Sequence, residues 1–158
     1  MVLCTFTKGQ NVSIDELISL RTQPLGSVEE FLTPRKWTML SANEGDYKSM
    51  VTFAYKKSLD NDTAHSFLYL YYISDTPNRL GIQVHLATTY NLYMARIKAL
   101  GYKLTKSFID DGSIIKVYEA NGSTIQIKTT TQEQDSATKN YYKFMFFYSL
   151  DYKFMYGK

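Results

Sequence analysis

Residues 141–158 read YYKFMFFYSLDYKFMYGK, and Tyr-Lys-Phe-Met occurs in them twice. A strand covering one side of a core alternates apolar and polar residues. This stretch barely alternates, so a sheet that contains it needs cover on both faces. Three covers are open, one of them the sheet curling on itself. Asp151–Lys158 can fold back as a further strand, since Tyr152, Phe154 and Tyr156 alternate with Lys153, Met155 and Gly157. Otherwise a partner molecule supplies the cover.

The segment 142–148 matches 67–73 upstream. In that match Phe67, Tyr69, Tyr71 and Ile73 share a phase with Tyr142, Phe144, Phe146 and Tyr148. The opposite phase holds Leu68, Leu70 and Tyr72 with Lys143, Met145 and Phe147. An unpaired buried lysine is costly, so the Lys143 phase is expected outside and the aromatic phase beneath helices. Leu68, Leu70, Tyr72, Lys143, Met145 and Phe147 then form an exposed apolar face, the mark of a partner-binding site.

The chain of 158 residues is long enough to bury a real core as one domain or two intimate repeats. Its 14 Tyr and 9 Phe favour sheet and gripping surfaces. A net charge of +3 gives no electrostatic case for nucleic acid. The lone Cys4 excludes an internal disulfide framework and a cysteine zinc cluster. No run is long enough to span a membrane. Residues 1–12 admit two readings: the remnant of a secretory signal, or a native apolar first strand. The two readings stand about even, with an exported or periplasmic location slightly favoured over a cytoplasmic one.

Helices are expected where capping chemistry appears. Ser13-Ile-Asp-Glu16 and Ser27-Val-Glu-Glu30 are both capping boxes. They predict a helix–loop–helix over 13–34, ended by Pro34. A third helix is predicted from about Thr89 to Leu100, with Gly101 as its cap. Beyond it, Asp111-Gly112 and Asn121-Gly122 are hairpin signals that divide 103–131 into three strands. At the second turn a three-residue loop, 120–122, would pair Val117 with Ile125 and Ile115 with Ile127, placing all four on one face.

The chain also repeats in order. Trp37-Thr-Met39 matches Tyr102-Lys-Leu104, and Thr52–Lys56 matches Thr124–Lys128. Asp62-Thr-Ala64 matches Asp135-Ser-Ala137, and Tyr71–Ser74 matches Phe146–Ser149. Each half is thus a helical segment followed by antiparallel strands. The expected fold is α+β, two tandem helix-plus-antiparallel-sheet repeats with the helices on one face. The first repeat is 13–87 and the second 88–158, in one compact domain.

This order of elements resembles the beta-lactamase inhibitor protein fold over residues 13–150. The resemblance implies two tandem units, each with helices and a four-stranded sheet, presenting a surface that grips an enzyme. The chain departs from that family in having one Cys, a single helix in the second unit, and residues 42–48 where the second unit has a strand. No binding residue is carried over.

Catalytic chemistry is sparse. His65 and His85 lie outside any zinc spacing, and nothing positions a Cys4–His85 dyad. Asp110-Asp111, followed by Gly112, are turn residues before they are paired carboxylates. Glu29-Glu30 suit a first helical turn. The site checklist yields no catalytic residue, metal or cofactor. The expectation is a non-enzymatic protein-binding domain, an inhibitor or immunity-type protein that masks an enzyme or toxin. The alternative is a module for an apolar small molecule or glycan held on the sheet.

Overall fold

The computed structural model describes residues 12–43, 49–58, 64–72, 77–134 and 137–157. Residues 1–11, on which the secretory-signal reading falls, residues 44–48 and part of both matched Asp-containing loops lie outside them. The protein is α+β. Helices α1 (Ile14–Leu20) and α2 (Leu25–Leu32) precede strands β1 (Trp37–Asn43), β2 (Ser49–Tyr55), β3 (Ser66–Tyr72) and β4 (Pro77–Val84). Helix α3 (Ala87–Ala99) then leads to β5 (Lys103–Asp110), β6 (Ser113–Ala120), β7 (Ser123–Gln134) and β8 (Ala137–Tyr148). A final helix, α4, spans Ser149–Tyr156. The eight strands form one antiparallel sheet in the order β1-β2-β3-β4-β8-β7-β6-β5, so two four-stranded meanders meet at β4 and β8.

Local chemistry sets the helix ends. The Ser13 box closes on both sides: the Glu16 amide donates to Ser13 Oγ and the Ser13 amide to Glu16 Oε2 at 2.7 Å. The second predicted box does not form. Helix α2 starts earlier, at Leu25 after Pro24, and Ser27 lies inside it. The α-helix ends at Leu32, and Pro34 sits in a 3-10 turn, Thr33–Arg35. Helix α3 ends in a Schellman motif, with Tyr102 N–H on Ile97 C=O, Gly101 N–H on Lys98 C=O, and Gly101 at φ +85°.

Helices α1, α2 and α3 cover one face of the sheet, here the inner face. Ile14, Leu17, Val28, Leu32 and Ile97 pack there with Phe53, Leu68, Leu70, Leu80, Ile82, Ile125, Ile127, Phe144 and Phe146. Tyr93 donates its hydroxyl to the Val12 carbonyl at 2.6 Å, and Arg96 forks onto Asp15 at 2.6 and 2.8 Å, tying α3 to α1.

The second face answers the question raised by 141–158. The tail is neither a strand nor free. It is helix α4, and Tyr152 buries against Ile115, Val117 and Phe147, flanked by Met145 and Met155. A further strand paired with β8 is excluded by topology, because β8 is hydrogen-bonded to β4 on one side and β7 on the other. The chain must leave the sheet. It does so at Ser149, whose N–H bonds Gly122 C=O and whose hydroxyl pairs with that of Thr124, each at 2.9 Å. The helices therefore cover both faces, not one.

The β6–β7 turn also differs from expectation. Ala120 pairs with Ser123, and Asn121 and Gly122 have φ 47° and 73°, a two-residue type I′ turn. Ile127 lies opposite Lys116, and Val117 opposite Gln126. The expected common face for Ile115, Val117, Ile125 and Ile127 is unnecessary, because α4 buries the first two from the outer side while α1–α3 bury the others.

Candidate binding face

Cross-strand partners point to the same face of a sheet, so the register fixes the outer face row by row. Phe67, Gln83, Lys143 and Lys128 form one row across β3, β4, β8 and β7. Tyr69, Gly81, Met145 and Gln126 form the next, and Tyr71, Arg79, Phe147 and Thr124 the third.

This placement corrects most of the predicted site. Leu68 and Leu70 are 0% exposed and Tyr72 7%, all in the inner core. Phe147, also 0% exposed, lies beneath α4. Only Lys143 and Met145 remain half-buried on the outer face. The phase of β8 follows the lysine argument: Lys143 is outside, with Phe144 and Phe146 under the helices. The phase of β3 is the reverse of that expected. β4 lies between the two strands, so their sequence match does not carry a phase from one to the other.

The outer residues of β3 are Phe67, Tyr69 and Tyr71, each half-buried. Cations lie over them. Lys143 Nζ stands 4.5 Å from the Tyr69 ring centre, and the Arg79 guanidinium 4.2 Å from that of Tyr71. Gly81 makes this possible, since a Cβ there would collide with the Met145 sulfur and touch Lys143 Cε at 3.6 Å. Burial pulls the Lys143 pKa below its ordinary value, and the charges of Arg79 and Lys128 add to the effect. Among the described residues no carboxylate forms a salt bridge with Arg79, Lys128 or Lys143.

The face continues into two hollows that share Gln83 and Tyr141. One, of about 630 Å³, is lined by His65, Phe67, His85 and Tyr142. The other, of about 410 Å³, is lined by Ser113, Lys128, Thr130 and Lys143. His85 meets the Tyr141 ring edge-on at 4.9 Å. Burial lowers the His85 pKa, helped by His65 and Lys139. Among the described residues no three His, Cys, Asp or Glu side chains gather where they could hold one metal ion. Asp111, at φ 45° beside Gly112, serves the β5–β6 turn.

Arg79, Gly81 and Gln83 belong to a strand that the sequence reading left unassigned apart from placing His85 near a strand end. Its signal was present: Leu80, Ile82 and Val84 alternate, and a glycine inside a strand marks a close approach. What this face offers chemically is recognition, through aromatic planes, three clustered cations and the amides of Gln83 and Gln126. No family model, curated protein or solved structure matches this chain.

Proposed function

We propose that the protein is a non-enzymatic binding domain that grips an acidic surface of another protein through the outer face of β3, β4 and β8. One observation carries this reading. Arg79 and Lys143 lie across Tyr71 and Tyr69 beside Met145, at the margin of α4, where Arg79 Nη1 donates to the Met155 sulfur at 3.5 Å, and among the described residues no acid forms a salt bridge with either cation. Aromatics, Arg and Met are the residues enriched in interfaces, and unpaired clustered cations select a partner of opposite charge. An inhibitor or immunity-type protein masking an enzyme or toxin fits such a face. That narrower role leans on the resemblance to the beta-lactamase inhibitor fold, which argues fold better than function.

Two tandem units, 13–87 and 88–158, are part of the same proposal. The sheet order supports them, with a helical segment before each four-stranded meander. So does a shared irregularity. The register slips between Met39 and Ser41 in β1 and between Leu104 and Lys106 in β5, at the same distance from the matched Trp37 and Tyr102. The later sequence matches set β2 against β7 and β3 against β8, one strand out of step with the sheet's own symmetry. The units therefore correspond as β1 to β5, β2 to β6, β3 to β7 and β4 to β8.

The test is affinity capture from the native cell extract by the wild type and by Tyr69→Asp and Lys143→Glu. The expected result is a protein retained by the wild type, released by raised salt and lost with both variants, but retained by Lys98→Glu on α3. Equal capture by every variant, or none by the wild type, overturns the reading. The glycan or small-molecule alternative draws on the hollow of about 630 Å³ beside His65 and His85. Saturable binding of such a ligand, abolished by His85→Trp, would favour it instead.

A further inference from the structure

All eight residues of β5 are exposed, and it is an edge strand of the sheet. The other edge strand, β1, buries Trp37. Apolar side chains stand open on β5: Ile109 is 79% exposed and Phe108 44%. An edge strand presents a row of unpaired N–H and C=O groups, which a matching strand can satisfy.

The geometry of β5 selects that strand. The β5–β6 turn is a two-residue type I′ turn, with Asp111 at φ 45° and Gly112 at φ 67°. Such a turn is closed by a hydrogen-bonded pair, here Asp110 with Ser113. Hydrogen-bonded and non-hydrogen-bonded pairs then alternate along the ladder, so Ile109 and Ser107 direct their N–H and C=O away from β6. The bulge between Leu104 and Lys106 ends the regular stretch. What remains is 106–110, whose midpoint is Phe108.

An antiparallel two-fold pairing of 106–110 with the same segment of a second copy has its axis at Phe108. Ser107 then faces Ile109 of the second copy, and Ile109 faces its Ser107, so the outward groups bond to one another. Lys106, Phe108 and Asp110 share the outer face, since they pair with Val117, Ile115 and Ser113. On that face Lys106 meets Asp110 twice, flanking a Phe108–Phe108 contact. Moving the axis to Ser107 would set Lys106 against Phe108 and leave Asp110 without a cation. A one-residue slip would turn outward groups against inward ones and apolar faces against polar.

We propose that two copies of this chain associate through β5, with the two-fold axis at Phe108 and paired Lys106–Asp110 contacts, joining two eight-stranded sheets edge to edge. Five residue pairs make an interface well below the standard size, so the dimer is weak and forms at high concentration. The bulge and the lysines of β5 keep it from extending into a fibre, because they limit the pairing to one short register.

The test is sedimentation equilibrium of the full chain in low salt, over a concentration series reaching the millimolar range. The mass is expected to rise toward twice the monomer. Lys106→Glu and Asp110→Lys, made singly, each oppose like charges twice and should weaken the dimer about tenfold or more. The two together should restore it. Ser107→Pro removes an outward N–H and takes no bond from β6, so the circular dichroism spectrum should stay unchanged while the dimer is lost. A monomer at every concentration overturns the proposal. So does a dimer that survives Lys106→Glu and Ser107→Pro, or a double charge variant as weak as the singles.

Discussion

On the outer face of the sheet, Ile115 and Val117 of the second half lie buried with Tyr152 of α4, whereas Phe67, Tyr69 and Tyr71 of the first half stay half-exposed. Both halves end on a central strand, β4 or β8, with neighbours on each side. In both cases the chain must leave the sheet. After β4 it crosses to the inner face as α3; after β8 it crosses to the outer face as α4. The choice of exit decides which half keeps an open face. On the covered side apolar residues meet apolar residues. On the open side the half-buried side chains of Arg79 and Lys143 lie along the Tyr71 and Tyr69 rings.

Removing α4 is the strongest way to break this contrast. A chain ending at Tyr148 would expose Ile115, Val117 and Phe147. At about 1.5–3 kcal/mol for each fully buried side chain, the loss should reach about 5 kcal/mol. The truncated chain should also bind a hydrophobic dye on both halves of the outer face. A denaturation midpoint equal to that of the full chain would mean that α4 is not the cover.

Leu70 and Met145 give the next largest effect and separate inner from outer. Leu70→Ala truncates a side chain with no exposure and should cost about 3 kcal/mol. Met145→Ala, on the half-buried outer side, should cost less than about 1.5 kcal/mol. Chemical denaturation of the two variants side by side decides it. Equal losses would mean that the outer face is packed as tightly as the core.

The features legible in the sequence were those set by neighbours along the chain. The Ser13–Glu16 box, the Gly101 cap and the positions of both Asx-Gly turns depend on a few adjacent residues and formed as expected, although the loop at Asn121-Gly122 has two residues and not the expected three. The Lys143 argument gave the phase of β8 because it concerned that strand's own residues. Features requiring knowledge of what lies alongside were not legible. Leu68, Leu70 and Tyr72 went to the wrong face because β3 and β8 were aligned by composition, whereas the sheet inserts β4 between them. The tail from Asp151 alternates well enough for a strand, yet Tyr152 and Met155 also have helical spacing. Only the filled central position of β8 chooses between them.

The smallest expected effect concerns how the halves are joined on the inner face. There α1, from the first half, meets α3, which opens the second, and Asp15 and Arg96 form the one forked ion pair among the described residues. The hydrogen bond from Arg96 holds the Asp15 pKa below its ordinary 3.8. A carboxyl with a depressed folded-state pKa contributes stability that is fully present above the unfolded value. That contribution is lost as pH falls through the folded value. Wild type should therefore melt slightly above Asp15→Asn near neutral pH, and the gap should begin to close once the pH falls below 3.8. Both side chains are half exposed, so solvent and salt screen the pair and the gap should shrink at high ionic strength. Melting curves of the two proteins at three pH values and two salt concentrations make the comparison. A gap that persists in strong acid, or ignores salt, would assign the seam to the buried Tyr93–Val12 hydrogen bond and the core beneath it.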